Sequence, residues 1–155
     1  MKTLTLALCL GLATAGTAAL PATAHAAAED LIYTGLFSNT AVGGYDTVSY
    51  HTGDAPIRGS RAFRTQWNGA EWRFASQENL DLFLADPAAY APAYGGYCAW
   101  AMAQGYGAKG DPQVWRIVDD VLYLNFDRSV QEMWEDDIPG FIVQANANYP
   151  AVLEG

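Results

Sequence analysis

Hydrophobic and polar positions change period several times along this chain. Ala62 to Trp67 and Ala70 to Ala75 read as two strands, separated by Asn68-Gly69. Asn-Gly accepts the positive φ angles of a tight type I′ turn, so this stretch predicts a β-hairpin. The period then lengthens. Leu80, Phe83 and Leu84 take helical spacing, Ser76 is placed to cap the helix, Glu78 sits in its first turn, and Asp86-Pro87 stops it. Val114 to Val118 and Val121 to Phe126 give a second hairpin across Asp119-Asp120. Asp127 caps a further helix with Val130, Met133 and Trp134 at core spacing. Pro139-Gly140 is expected to break it before a last helix from Phe141 to Asn148. Upstream, Gly43-Gly44 predicts a turn and Tyr45 to His51 a strand, with Tyr45, Thr47, Ser49 and His51 on one face. No internal repeat is evident. Strands, helices, a hairpin and helices in that order predict an α+β fold: a small antiparallel sheet of hairpins packed with short helices.

Between the two hairpins lies Tyr94-Gly95-Gly96-Tyr97-Cys98-Ala99-Trp100-Ala101-Met102, ended by Gly105. The glycines permit a tight or left-handed backbone. Cys98 is expected in the first turn of a short helix, where free N–H groups favour a thiolate, and Met102 lies one turn later. Two readings follow. Cys98 is a small buried apolar residue and Met102 fills the core, or the two sulfurs belong to a soft-metal or redox site.

The first residues change the cysteine count. Lys2, the apolar stretch Leu4 to Leu20, and Ala24-His25-Ala26 have the form of a signal peptide over residues 1–26, which places the mature protein in the periplasm or outside the cell. Cleavage removes Cys9, leaving Cys98 alone, so no internal disulfide is available. No membrane span is expected afterwards. Residues 27–40 read as a leader, 41–150 as one domain and 151–155 as a tail. Loss of Lys2 takes the formal charge from −9 to −10. So acidic a chain, with no basic patch, argues against nucleic acid and anionic membranes as partners.

Several stretches together resemble the YHS-domain family, in its secreted bacterial branch. They are Gly44-Tyr45-Asp46-Thr47-Val48-Ser49-Tyr50, Trp72-Arg73-Phe74-Ala75-Ser76, Phe83 to Tyr90, Tyr94-Gly95-Gly96-Tyr97-Cys98-Ala99, Asp111-Pro112-Gln113-Val114-Trp115 and Leu122-Tyr123-Leu124-Asn125. The resemblance implies a single YHS-like domain and metal binding. In the family's metal-associated branch three thiols stand at the positions that are Ser49, Ala75 and Asn79 here. Cys98 belongs to none of them.

The donors for a soft ion are therefore Cys98, Met102 and His51, with Met133 read as core. Cu(I) is the ion that suits them. No third residue orients a Cys98–His51 pair, and no resolving cysteine stands nearby, so no enzyme activity is expected. Gly105 to Gly110 lacks a Gly-Lys-Ser/Thr run and reads as a plain loop. The leading expectation is an exported YHS-domain protein handling a soft metal of the copper type. The alternative is a non-catalytic binding or interaction module, taking a small ligand or partner, with Cys98 a buried structural thiol and no metal.

Overall fold

A computed structural model describes residues 31–53 and 56–154. The expected signal peptide lies outside the described residues. The elements are β1 (Tyr45–Asp46), α1 (Ser49–Thr52), β2 (Ile57–Arg58), β3 (Ser60–Trp67), β4 (Ala70–Phe74), α2 (Gln77–Ala85), α3 (Pro87–Tyr90), α4 (Ala99–Ala103), β5 (Asp111–Val118), β6 (Val121–Asn125), α5 (Arg128–Glu135) and α6 (Ile138–Asn148). Short 3₁₀ turns occupy Ala41–Gly44, Ala93–Gly96 and Ala151–Leu153. β1–β2, β3–β4 and β5–β6 form three two-stranded antiparallel sheets. The fold is α+β, as the pattern predicts.

Both hairpins form where the turn chemistry puts them. Asn68 and Gly69 take φ of 46° and 74°, and Asp119 and Asp120 take 49° and 62°. Two aspartates thus adopt the left-handed pair that Asn-Gly adopts more readily. The side chains of Ser76 and Asp127 cap α2 and α5 as expected, accepting from the N–H groups of Asn79 and Val130.

Three expectations are corrected. Ser49 to Thr52 is a helical turn and not strand. The Asp46 carboxylate accepts from the N–H groups of Val48 and Ser49 and so bends the chain out of β1. Pro139-Gly140 does not break a helix. Asp137 caps α6 through the Gly140 N–H, and Pro139 sits in its first turn, where a missing N–H costs nothing. Met133, read as core, is exposed, while Trp134 beside it is buried.

A fourth correction concerns repetition, for the chain folds twice into the same sequence of elements. Ala41–Gly44 and Ala93–Gly96 are matching 3₁₀ turns, with left-handed Val42 and Gly43 in one and Tyr94 and Gly95 in the other. Tyr45 pairs with Arg58, and Tyr97 pairs with Lys109. The Gly59 N–H donates to the Gly44 carbonyl, and the Gly110 N–H to the Gly96 carbonyl. β3 and β5 both shift register near their starts, between Ser60 and Arg64 and between Asp111 and Trp115. A tight turn, a second strand, a capped helix and an Asp-capped helix with Pro in its first turn then follow in each. Ala-x-Gly-Gly-Tyr at 41–45 and 93–97, with Gly53 and Gly105 beyond, is the residue pattern that survives in both units.

One core cluster gathers Val48, Tyr50, Trp72, Phe74 and Phe83 with Leu122 and Leu124 of the second unit. The other gathers Tyr94, Met102, Tyr123, Trp134 and Ala145. Tyr50 joins the units. Its hydroxyl donates to the Pro112 carbonyl at 2.9 Å, and its ring meets Trp115 edge-on.

The segment before the first unit is sewn to both. The Glu71 N–H donates to the Asn39 carbonyl, and the Tyr33 N–H to the Gly95 carbonyl. Gly95 has a φ of +61°, and a Cβ there would collide with the Leu31 carbonyl. Gly95→Ala is therefore expected to cost about 2 kcal/mol, from strain plus the lost seat. Urea unfolding measures the cost, and amide hydrogen exchange should show Tyr33 losing protection.

Candidate functional site

The positions where the family's thiols would stand do converge in space. They converge on a carboxylate. Asp46 is wholly buried. Its Oδ1 accepts from the N–H groups of Val48 at 2.9 Å and Ser49 at 3.3 Å. Its Oδ2 accepts from the Ala75 N–H at 2.8 Å and from Asn79 Nδ2 at 2.7 Å. Ser49 Oγ donates to the Asp46 carbonyl at 2.7 Å and accepts from the Ile57 N–H at 3.2 Å. Ser49, Ala75 and Asn79 thus surround one anion and supply its donors. A cation there would have to displace a set of charge-assisted hydrogen bonds.

Cys98 has no exposed surface. It stands at the N-cap position, just ahead of α4 rather than within its first turn. Its thiol faces Asn125 Oδ1 at 3.7 Å. Burial pushes the thiol pKa up, and the N–H groups of Ala101, Phe126 and Trp100 directed at the sulfur offset part of that rise. As a thiol it accepts no full capping bond. The Trp100 N–H instead donates to Asn125 Oδ1 at 3.3 Å. Cys98 also walls a cavity of about 210 Å³ with Trp100, Ala101, Tyr106, Phe126 and Val130.

Met102 is buried in the second core cluster with Trp134 and Ala145. His51 is half-buried on α1, its ring edge-on to Tyr90 with centroids 5.4 Å apart. Its Nε2 is buried without a partner among the described residues. Met102 thus stands one turn after Cys98, its N–H donating to the Cys98 carbonyl, while His51 lies on α1. Among the described residues, no group of three His, Cys, Asp or Glu side chains is placed to hold a metal ion.

Reading the sequence alone missed Asp46 and Asn125. Asp46 follows a Gly-Gly-Tyr run just as Cys98 does. That shared context is the signal that could have paired them.

A repeated hairpin-and-helix unit, with a buried carboxylate at the heart of its first copy, defines a small α+β domain. Residues 48–94 match the model of the YHS domain, and over that stretch the chain is similar to the YHS-domain family. No curated protein and no solved structure matches the chain significantly. The match contains Ser49, Ala75 and Asn79 and ends before Cys98. The family is one associated with metal handling.

Two outcomes follow from this geometry. Asp46→Asn replaces one acceptor oxygen by an NH₂ that faces N–H donors, so it is expected to cost about 3 kcal/mol in urea unfolding. His51 gives a pH dependence. Burial lowers its pKa, and the Asp120 carboxylate opposes that only weakly; Tyr90 is the other group against its ring. The folded state therefore binds the proton less readily than the unfolded chain. His51 carries no penalty above its unfolded pKa near 6.5, and stability should fall as pH drops below that value toward the folded pKa. Unfolding free energies at neutral pH and about one unit below the ordinary histidine pKa should differ less in His51→Phe than in wild type.

Proposed function

We propose that this chain is an exported, non-catalytic YHS-domain module that binds a partner or small ligand, with Cys98 held as a structural thiol. The observation that carries the reading is the Asp46 seat. Where the family's metal-associated branch would converge three thiols, this chain converges hydrogen-bond donors on its own carboxylate. Cys98 lends a second support, being wholly buried with Asn125 as its partner. Aromatic-walled recesses favour a binding role. One of about 200 Å³ is lined by Ile32, Trp67, Pro92, Tyr94, Val121 and Tyr149, among others. On a strongly acidic chain such walls suit a small apolar or cationic ligand. Export rests on the pattern of residues 1–26. Among the described residues, no helix is long and apolar enough to cross a membrane.

The competing reading is Cu(I) handling through Cys98 and Met102. Anaerobic Cu(I) titration of reduced mature protein against a competing chelator separates the two. Wild type and Cys98→Ala are expected to bind equally weakly, and a bulky disulfide reagent should label Cys98 only after unfolding. Wild type binding at least about tenfold more tightly, a difference of about 1.4 kcal/mol, would replace this reading with the copper one.

A further inference from the structure

The second unit seals the outer edge of its hairpin, and the first leaves the matching edge open. Among the described strands β5 pairs with β6 alone, so its far edge needs other partners. Two side chains of α5 supply them. Gln131, itself buried, donates from Nε2 to the Trp115 carbonyl at 2.9 Å, and Arg128 donates from Nη2 to the Gln113 carbonyl at 3.2 Å. Arg128 Nη1 also donates to Gln131 Oε1 at 2.8 Å, which fixes the pair. The two hairpins match in register. Trp115 opposite Leu124 corresponds to Arg64 opposite Arg73, and Asp111 opposite Asn125 to Ser60 opposite Phe74. Gln113 and Trp115 therefore correspond to Ala62 and Arg64. Counted from the capping Ser76 and Asp127, Arg128 and Gln131 correspond to Gln77 and Leu80.

Neither first-unit residue closes the edge. Gln77 donates to Asp81 of its own helix at 2.8 Å, and Leu80 has no donor and packs in the core. Among the described residues, no side chain donates to the Ala62 or Arg64 carbonyl. The ladder shows which groups face outward. The Glu71 N–H leaves the hairpin to meet the Asn39 carbonyl, so Gln66, opposite Glu71, turns its own N–H and carbonyl away from β4. Arg64, two residues back, does the same. Asn39 and Thr40 cover the β4 edge. The β3 edge keeps unpaired main-chain groups at Arg64 and Gln66, both exposed residues.

Charge decides what fits there. Beyond residue 26 the chain has seven lysines and arginines, and four of them, Arg58, Arg61, Arg64 and Arg73, fall between 57 and 74 with Glu71 as the one carboxylate. The other sixteen carboxylates share Lys109, Arg116 and Arg128. The sequence spaces the four arginines too widely to read as a basic patch, and the hairpin gathers them. Arg64 stands directly opposite Arg73, and Glu71 serves both, Arg73 at 2.7 Å and Arg64 at 3.8 Å. Arg61, in the irregular stretch just before Arg64, has no partner among the described residues. An open edge flanked by two guanidinium groups thus stands on an otherwise acidic molecule. We propose that the β3 edge is a docking site for an extended acidic peptide segment of another protein, which adds as a third strand. Its main-chain groups pair with those of Arg64 and Gln66, and its carboxylates meet Arg61 and Arg64. The same arginines repel the edge of a second copy, so the edge does not pair with itself. The inference rests on the reading of this chain as a binding module and names its partner.

The test uses mature protein with a chelator present, so that copper plays no part. The probe is a fluorescein-labelled peptide about ten residues long, alternating Glu and Thr, beside one alternating Lys and Thr. Fluorescence anisotropy at low salt should show the acidic peptide binding at least about tenfold more tightly, with the difference shrinking as salt is added. On binding, the Arg64 and Gln66 N–H groups should gain protection from hydrogen exchange, which a purely ionic contact would not give. Gln66→Pro removes an outward N–H and leaves the β4 ladder intact. Arg61→Gln with Arg64→Gln removes the charges. Each should weaken binding at least about fivefold. The proposal is overturned if the acidic and basic peptides bind alike, if neither amide gains protection, if folded Gln66→Pro binds as wild type does, or if a single-stranded oligonucleotide of equal charge binds as tightly as the acidic peptide. Any of these results leaves the copper comparison and the recess beside Trp67 and Tyr94 untouched, so the docking edge and the binding-module reading can fail separately.

Discussion

A buried carboxylate organises this domain. Asp46 has no contact with solvent, so each of its lone pairs must be met from the chain itself. The donors come from the turn after β1, from the end of β4 and from the first turn of α2. One side chain thereby fixes where β1 ends, where α1 begins and how α2 leaves the hairpin. Removing the acceptor would strand several buried N–H groups at once, which costs more than any one of the bonds contributes. The apolar packing of Trp72, Phe74 and Phe83 supplies bulk to the first core. The carboxylate supplies its geometry.

What could be read from the sequence was what depends on neighbours in the chain. Asn68-Gly69 forms its hairpin because two adjacent residues tolerate left-handed angles. Ser76 and Asp127 cap helices because a short side chain reaches an N–H three residues on. Misreadings arose where a distant or multiple contact decides. Thr47-Val48-Ser49-Tyr50 has strand composition, and the Asp46 carboxylate overrides it. Met133 has core spacing, yet α5 turns Trp134 inward and leaves Met133 outside. The repeat was hidden because the exchanged pairs differ in chemistry: Asp46 and Cys98, Ser49 and Ala101, Asn79 and Val130. What stayed alike is chiefly Ala-x-Gly-Gly-Tyr, which serves the backbone turn, and the capping pair Asp86 and Asp137. The setting of Cys98 was illegible for the same reason, since Asn125 and Phe126 reach it from another hairpin.

The two units have drifted in complementary ways. The first closes its seat with polar partners and presents a self-sufficient hydrogen-bond network. The second has traded Asn79's counterpart for Val130 and opened an apolar cavity beside its sulfur. Their interface is equally uneven. Leu122 and Leu124 of the second hairpin belong to the first unit's core, and Tyr50 of the first reaches Pro112 and Trp115 of the second. The first core is incomplete without the second unit, whereas the second is drawn from residues 93–153 alone. The duplication is one of architecture, and the first unit leans on the second.

The stretch from Leu31 to Thr40 touches the first hairpin at Glu71 and the second unit at Gly95. As the chain is made from its N-terminus, these residues emerge early and must wait. Asn39 meets its partner once the first hairpin exists, but Tyr33 has nothing to bind until the second Gly-Gly turn has been synthesised. The earliest-made part of the domain therefore cannot complete its contacts until the second unit's turn exists, and it ties the two units together from outside both.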